Sequence, residues 1–299
     1  MRHSTTLLTP RSSAVSRCAE RIHVRTILVP DEQRYAGMGG RELRANFLIE
    51  SLFLLNALNL FWCDMDRAII GGAVPGRQPL QLTAPESMRC DFFLERRELG
   101  ILNIGGPGQV HADGVSFELE KCDGLYIGMG HRDISFTSRN ADDPAQFYLL
   151  SYPAHTRHPA VLIRQDSVTP VELGSPAGAN QRRLYKYIHP DGVRSCQLVM
   201  GFTRLAAGSV WNTMPPHTHL RRSEVYLYFD LPPEARVLHL MGRPEETRHL
   251  FVAQGQAVLS PAWSIDAGAG TAAYGFCWGM GGENQIFADM DQVSAAELI

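Results

Sequence analysis

The sequence predicts a mainly β protein, built as two tandem β-barrels with a few short helices. Three observations point there. From about residue 60 the chain runs in short stretches rich in β-branched and aromatic residues, among them "RAIIGGAV", "DGLYIGMG" and "AQFYLLSYPA", separated by Gly, Pro, Asn and Asp. Strands of that length with turn residues between them suit sandwiches and barrels. A Pro-, Gly-, Ser- and Asn-rich stretch at 166–183, "DSVTPVELGSPAGANQRR", then precedes a second such series, from "CQLVMGFTRL" to "AAYGFCWGM". The two series share a rhythm of strand, turn, strand, Gly or Pro corner, strand, which suggests an ancient duplication.

Taken in order, residues 1–21 contain Arg and Ser but no apolar core of a secretory signal. They are expected to be a disordered, dispensable extension. Residues 22–165 are assigned to the first barrel with its leading segment. The best helix signal lies near 41–58. The run "ANFLIESLFLLNALNLFW" is interrupted by Asn46, Glu50, Asn56 and Asn59, so it is no membrane span. Its apolar surplus predicts an interface between subunits. "HADG" and "DDPA" carry hairpin-turn chemistry. In "LERRELG", Arg96 and Arg97 among Glu95 and Glu98 read as an ion-pair set. Residues 166–183 are assigned as the linker and 184–299 as the second barrel, which closes on a helix signal in "SAAELI".

Composition narrows the function. With 299 residues there is room for two domains. Hydrophobic residues at 44% and charged residues at 20% fit a globular protein outside the membrane. A formal net charge of -3 excludes a generally basic surface for nucleic acid, so an anionic ligand would need a local Arg or Lys cluster. The 6 cysteines are scattered without a CxxC pair and read as reduced thiols, which places the protein in the cytoplasm.

The chemistry concentrates in "PPHTHLRRSEVYLYF", residues 215–229. With 11 histidines in the chain, roughly 0.4 His-x-His pairs are expected by chance, so the pair alone is weak evidence. Geometry strengthens it. Residues i and i+2 of a strand point to one face, so His217 and His219 can present both imidazoles to one point. Glu224 follows a short polar turn and shares a face with Tyr226 and Tyr228. Two imidazoles and a carboxylate suit Zn, Fe, Mn or Ni. The bland alternative has solvated histidines and Glu224 paired with Arg221 or Arg222.

His-x-His, four residues, then Glu resembles the first motif of the cupin barrels, whose second motif has a corner Pro and a His five residues later. Here "SPAWSID" has Pro261 and, five on, Asp266. The first barrel has no His-x-His at the matching place, so no metal is expected there. Longer motifs make the likeness specific: "FFLERRELGILNIGGPG", "WNTMPPHTHLRRSEVYLYF", "MGRPEETRHLF" and "SPAWSI", followed by "WGMGGENQIFADMD". Together they resemble the 5-keto-4-deoxyuronate isomerases, from about Val24 to the C-terminus. The resemblance implies two cupin-type barrels (a bicupin), one zinc per subunit in the second barrel and a homohexamer. It also implies a ketol-isomerase that converts 5-dehydro-4-deoxy-D-glucuronate to 3-deoxy-D-glycero-2,5-hexodiulosonate in pectin and uronate breakdown. The implied metal ligands fall on His217, His219, Glu224 and Asp266, where the family has His in place of Asp266. Two His with two carboxylates would leave a divalent ion neutral, which brings in Mn or Fe as alternatives to zinc.

Aldose-to-ketose conversion moves a proton between adjacent carbons, so a general base is required. Glu246 and His249 are the candidates, with Tyr226 as proton donor. The substrate carboxylate calls for a cation, and Arg182, Arg183, Lys186 and Arg248 are the candidates. Two other readings stay open at this level: a non-catalytic sugar-acid-binding cupin with a degraded metal site, and an Fe(II) oxygenase built on two His and one carboxylate.

Overall fold

The computed structural model describes residues 24–299. The expectation for residues 1–21 lies outside them. The described strands build two barrels, each with a seven-stranded and a four-stranded sheet. In the first barrel the large sheet runs Val24–Ile27, Ala57–Cys63, Ile69–Val74, Phe147–Pro153, Arg97–Asn103, Gly124–Ile127, Val161–Ile163. The small sheet runs Leu80–Gln81, Ile134–Ser138, Gly108–Ala112, Val115–Leu119. In the second barrel the large sheet runs Val171–Leu173, Arg182–Ile188, Val199–Leu205, Gly275–Gly282, Arg222–Phe229, Ala257–Ser260, Leu48–Ile49. Its small sheet runs Trp211–Asn212, Ala267–Gly270, Val237–Arg243, Glu246–Val252. In both large sheets a late strand, Phe147–Pro153 or Gly275–Gly282, inserts at the centre. That repetition of order is what a duplicated barrel would leave.

Two boundaries differ from the sequence reading. Beyond Val24–Ile27, which pairs with Ala57–Cys63 of the first barrel, the leading segment does not belong to that barrel. Its helices Glu32–Ala36 and Gly40–Phe47 pack on the second, and Leu48–Ile49 becomes that barrel's edge strand, pairing with Ala257 and Val258. The reason is apolar cover: Tyr35, Met38, Leu43, Phe47 and Leu48 join one buried cluster with Tyr226, Met241, Leu250 and Val258. The Tyr35 hydroxyl donates to Met241 O at 3.0 Å, and its ring meets Trp263 edge-on. The helix expected over 41–58 therefore ends at Phe47, and much of the apolar surplus is consumed within one subunit. The 166–183 stretch is also not all linker, since Val171–Leu173 pairs with Arg182–Leu184 and extends the second sheet.

The two large sheets pack back to back. Leu150, Tyr152 and Tyr126 of the first meet Met200, Phe202, Val225 and Leu227 of the second in one core. The approach is close enough to require glycine: a Cβ at Gly100 would lie 2.6 Å from Leu198 Cδ2. The buried Glu98 carboxylate ties this seam, accepting from Tyr126 Oη at 2.8 Å and from the backbone N–H groups of Cys196, Gln197 and Leu198 at 2.6–2.9 Å. The ion-pair set expected in "LERRELG" is thus reduced to Arg96 with Glu95. Arg97 instead donates to Ser151 and to Arg67 O. Asp66 and Arg67 both lie in the left-handed region, at φ 44° and 54°, an unfavourable backbone for residues with a Cβ. That turn delivers the Asp66 carboxylate to Ser223, whose N and Oγ donate to it at 2.9 and 2.6 Å.

The barrel interiors differ in kind. The first is filled by Leu60, Leu99, Ile101, Val110, Phe136 and Leu149. The second also buries His217, His219, Glu224, His239 and Asp266.

Candidate metal centre and its cavity

The strand Arg222–Phe229 is buried on both faces, so its alternation sorts residues between two interiors. Ser223, Val225 and Leu227 face the seam between barrels, and Glu224, Tyr226 and Tyr228 face the barrel interior. His217 lies in a short two-stranded ribbon in which His217–Thr218 pairs with Asp291–Gln292, and His219 follows directly after it. The expected convergence is present. His217 Nε2 lies 2.8 Å from His219 Nε2, and His219 Nε2 lies 3.0 Å from Glu224 Oε2. One ligand atom from each of the three residues falls within 4.8 Å of the others.

The electrostatics favour a cation. Burial and then the neighbouring His219 hold the His217 imidazole down at about 4, so it is neutral near pH 7, the form that binds a metal. Glu224 Oε2 and Asp266 Oδ1 are buried without hydrogen-bond partners. Orphaned carboxylate oxygens beside two facing imidazole nitrogens are the donor set a divalent ion satisfies. Asp266 is not part of the converging trio. Its N–H donates to His217 O at 3.3 Å, and its carboxyl sits beside Glu224. Burial first, and then Glu224's charge, push the Asp266 carboxyl well above the usual carboxylate range.

The trio opens on a cavity of about 260 Å³. Tyr226, Phe276, Trp278 and Met280 line its wall, with Leu173, Arg182 and Leu184 along one side and Thr213 near the histidines. Phe287, Met290 and Gln292 line it from the C-terminal strap, residues 283–292. Trp278 Nε1 donates to Thr203 Oγ1 at 3.2 Å, which fixes the indole plane. Burial, and then the charges of Glu224 and Asp266, raise the Tyr226 phenol, so it keeps its proton.

The candidates named from sequence divide. Tyr226 and Arg182 line the cavity. Arg182 donates to Asn180 O and has no carboxylate partner among the described residues. Lys186 stands over the Phe287 ring at 4.5 Å, beside the strap. The others are elsewhere. Arg183 is exposed and paired with Glu172 at 2.8 Å. Arg248 is committed to the leading helices, donating to Ala36 O and Met38 O and stacking over Tyr35, and it pairs with Glu246 at 2.9 Å. His249 is exposed against Phe251, because Leu250 and Val252 take the inward positions of that edge strand. Glu246 and His249 therefore lie in a separate depression with Gly40 and Ile299, and neither is the base of this cavity. Nor do the arginines pair with Glu224: Arg221 grips Asp289 and Asp291, and Arg222 binds backbone carbonyls. The sequence reading missed Trp278, Phe287 and Met290. They stand in "WGMGGENQIFADMD", whose only signal was its likeness to other chains.

A two-barrel cupin with two His and one Glu converging on a cavity in one barrel defines the class. Solved structures of low identity share this fold. An IolB-like protein from Salmonella typhimurium LT2 superposes with a TM-score of 0.70 at 14% identity, over 84% of this chain and 99% of that one. The oxalate decarboxylase formate complex of Lactobacillus farciminis superposes at 0.52 and 10%, over 76% and 79%. Residues 55–295 match the KduI/IolB family, and the chain belongs to that family. Among its curated relatives is the 4-deoxy-L-threo-5-hexosulose-uronate ketol-isomerase of Lachnoclostridium phytofermentans, 56% identical over 86% of this chain and 93% of the relative. The protein of the same name in Bacillus subtilis strain 168 is 51% identical over 84% and 91%, and that of Caldicellulosiruptor bescii 48% over 93% and 100%.

Proposed function

We propose that the chain is a metal-dependent ketol-isomerase that converts 5-dehydro-4-deoxy-D-glucuronate to 3-deoxy-D-glycero-2,5-hexodiulosonate in uronate catabolism. The observation that carries this reading is the convergence of His217, His219 and Glu224 on a cavity lined also by Arg182, which has no carboxylate partner among the described residues. His217, His219 and Glu224 would hold one divalent ion, with Asp266 behind them. When bound, that ion supplies Lewis-acid polarisation of the substrate's carbonyl and hydroxyl oxygens. Zinc is the expected ion, with Mn or Fe as alternatives because of the extra carboxylate of Asp266.

The rest is done by the chain's own groups. Arg182 meets the substrate carboxylate, a charge-assisted contact at the cavity's side. Tyr226, which keeps its proton, donates a hydrogen bond to a substrate oxygen as charge moves onto it. Phe276, Trp278, Met280 and Phe287 exclude water, which strengthens both contacts. At about 260 Å³ the cavity lies below the roughly 300–1,000 Å³ typical of drug-sized ligands, and it suits a small sugar acid. Among the described residues no helix is long and apolar enough to cross a membrane. A cytoplasmic homo-oligomer, a hexamer by family likeness, completes the proposal. Of the apolar run, Leu54 and Leu55 stay exposed and are available for contacts between subunits.

The test is an isomerase assay on unsaturated uronate breakdown products with metal content measured on the same sample. Turnover that tracks metal occupancy supports the proposal. Substrate binding without turnover would favour a sugar-acid-binding cupin, and oxygen consumption would favour an oxygenase.

A further inference from the structure

We infer that Arg222 is a positioning residue for the metal centre, acting through the 283–292 strap, so that strap docking and metal binding stabilise each other. The inference rests on the metal-centre reading above. Arg222 is among the largest fully buried side chains, although it carries a charge. No carboxylate neutralises it directly. Its guanidinium donates instead to three strap carbonyls: Nη1 to Ile286 O at 2.7 Å, and Nη2 to Asp289 O at 2.8 Å and Phe287 O at 3.3 Å. Three carbonyl bonds from one rigid fork set the path of that strap.

The strap in turn reaches both histidines. Asp289 O, already held by Arg222, lies 3.2 Å from His219 Nδ1. An Nδ1–H donated to that carbonyl leaves the Nε2 lone pair directed at His217 and Glu224, the tautomer a metal requires. Arg222 Nε stands 3.4 Å from the same Nδ1, a longer contact that would select the opposite tautomer, so the position of Asp289 O decides which one forms. His217 is held by the ladder to Gln292, two residues past the last cavity-lining strap methionine, Met290. One backbone segment thus aims His219, backs His217 and roofs the cavity with Phe287 and Met290. From the solvent side Arg221 grips the same strap: its Nε donates a bifurcated bond to the two Asp289 carboxylate oxygens at 2.8 and 2.9 Å, and its Nη2 lies 2.5 Å from Asp289 Oδ1.

The test measures zinc(II) affinity by competition with a chelating dye, and hydrogen exchange of the strap amides in metal-free protein. Arg222→Gln should speed exchange across residues 286–292 and weaken zinc binding about 10–100-fold, as loss of a group that orients a ligand does. Arg222→Lys, which keeps the charge but loses the fork, should fall between Arg222→Gln and the native protein. If Arg222→Gln does not fold, Arg221→Gln loosens the strap from outside and should speed the same amides, with a smaller loss of affinity. Native strap exchange and zinc affinity within twofold in these variants would overturn the inference. Native protein that binds no metal would instead overturn the metal-centre reading, and the exchange data would still report on the Arg222 clamp.

Discussion

Asp266 and Glu224 share a dry corner of the second barrel, and two carboxylates there cannot both stay charged without a cation nearby. In metal-free protein burial and the neighbouring Glu224 favour the protonated form of Asp266. Replacing Asp266 with His removes that competition and extends a nitrogen toward the other three ligands. We expect Asp266→His to raise zinc affinity at least tenfold and to raise isomerase rate, measured by dye competition and by turnover. A second buried group gives a pH signature. Burial holds the His239 imidazole down at about 3; its Nδ1 meets Tyr228 Oη at 2.7 Å, and its Nε2 has no partner. Because its folded value lies below its unfolded one, the stability tied to its neutral form is complete above about pH 6.5 and is lost as pH falls toward 3. From pH 7 to pH 5 this one group should remove about 2 kcal/mol of unfolding free energy. Urea unfolding at both pH values checks it, and His239→Gln should flatten that part of the dependence.

At the level of elements, what was legible followed local rules. The His-x-His ribbon and the inward set of Glu224 and Tyr226 obey the period-2 alternation of strands, so their convergence could be read from spacing. His249 failed because Leu250 and Val252 take the inward positions of its edge strand; Glu246 failed because it pairs with Arg248, which is committed to helices some 200 residues earlier in the chain, and no spacing rule sees that. Arg182 and Arg248 make the same point as a pair. Both were plausible carboxylate partners, and only one lines the cavity. Arg182→Ala should raise KM for the sugar acid about 10–100-fold with a smaller change in kcat, the loss expected for a charge-assisted contact. Arg248→Ala should leave KM unchanged and lower unfolding free energy by about 1–3 kcal/mol, because it frees two helix-end carbonyls and the Tyr35 ring. Steady-state kinetics and denaturant unfolding on the two variants separate these outcomes.

Across the whole molecule, the apolar first barrel has a mechanical relation to the site. The Asp66 carboxylate holds Ser223, which lies between Arg222 and Glu224, and it does so from a turn with two residues in left-handed backbone. Conformations of that kind cost on the order of 1–3 kcal/mol each and persist where the surroundings enforce them. We expect Asp66→Ala to relax the turn and leave Ser223 N without its partner. Zinc affinity should fall several-fold while circular dichroism stays native, a result that would assign the first barrel a supporting role in metal binding. The repeated sheet order was legible as a shared rhythm because turn residues punctuate both halves alike. The exchange of the leading segment was not, because nothing local distinguishes an apolar helix that covers its own barrel from one that covers the next.

That exchange also sets a clock. Leu48 and Ile49 are made early, and the strand they pair with, Ala257–Ser260, is made about 200 residues later, a delay of roughly 10–40 s at ordinary rates of synthesis. Through that interval Phe47 and Leu48, whose buried cluster is otherwise built from second-barrel residues, have no native surface to cover, while the first barrel can already close beside them. The nascent chain therefore carries an adhesive segment until residues 257–260 have been made, and a transcript truncated before residue 257 should yield a folded first barrel that aggregates through that segment.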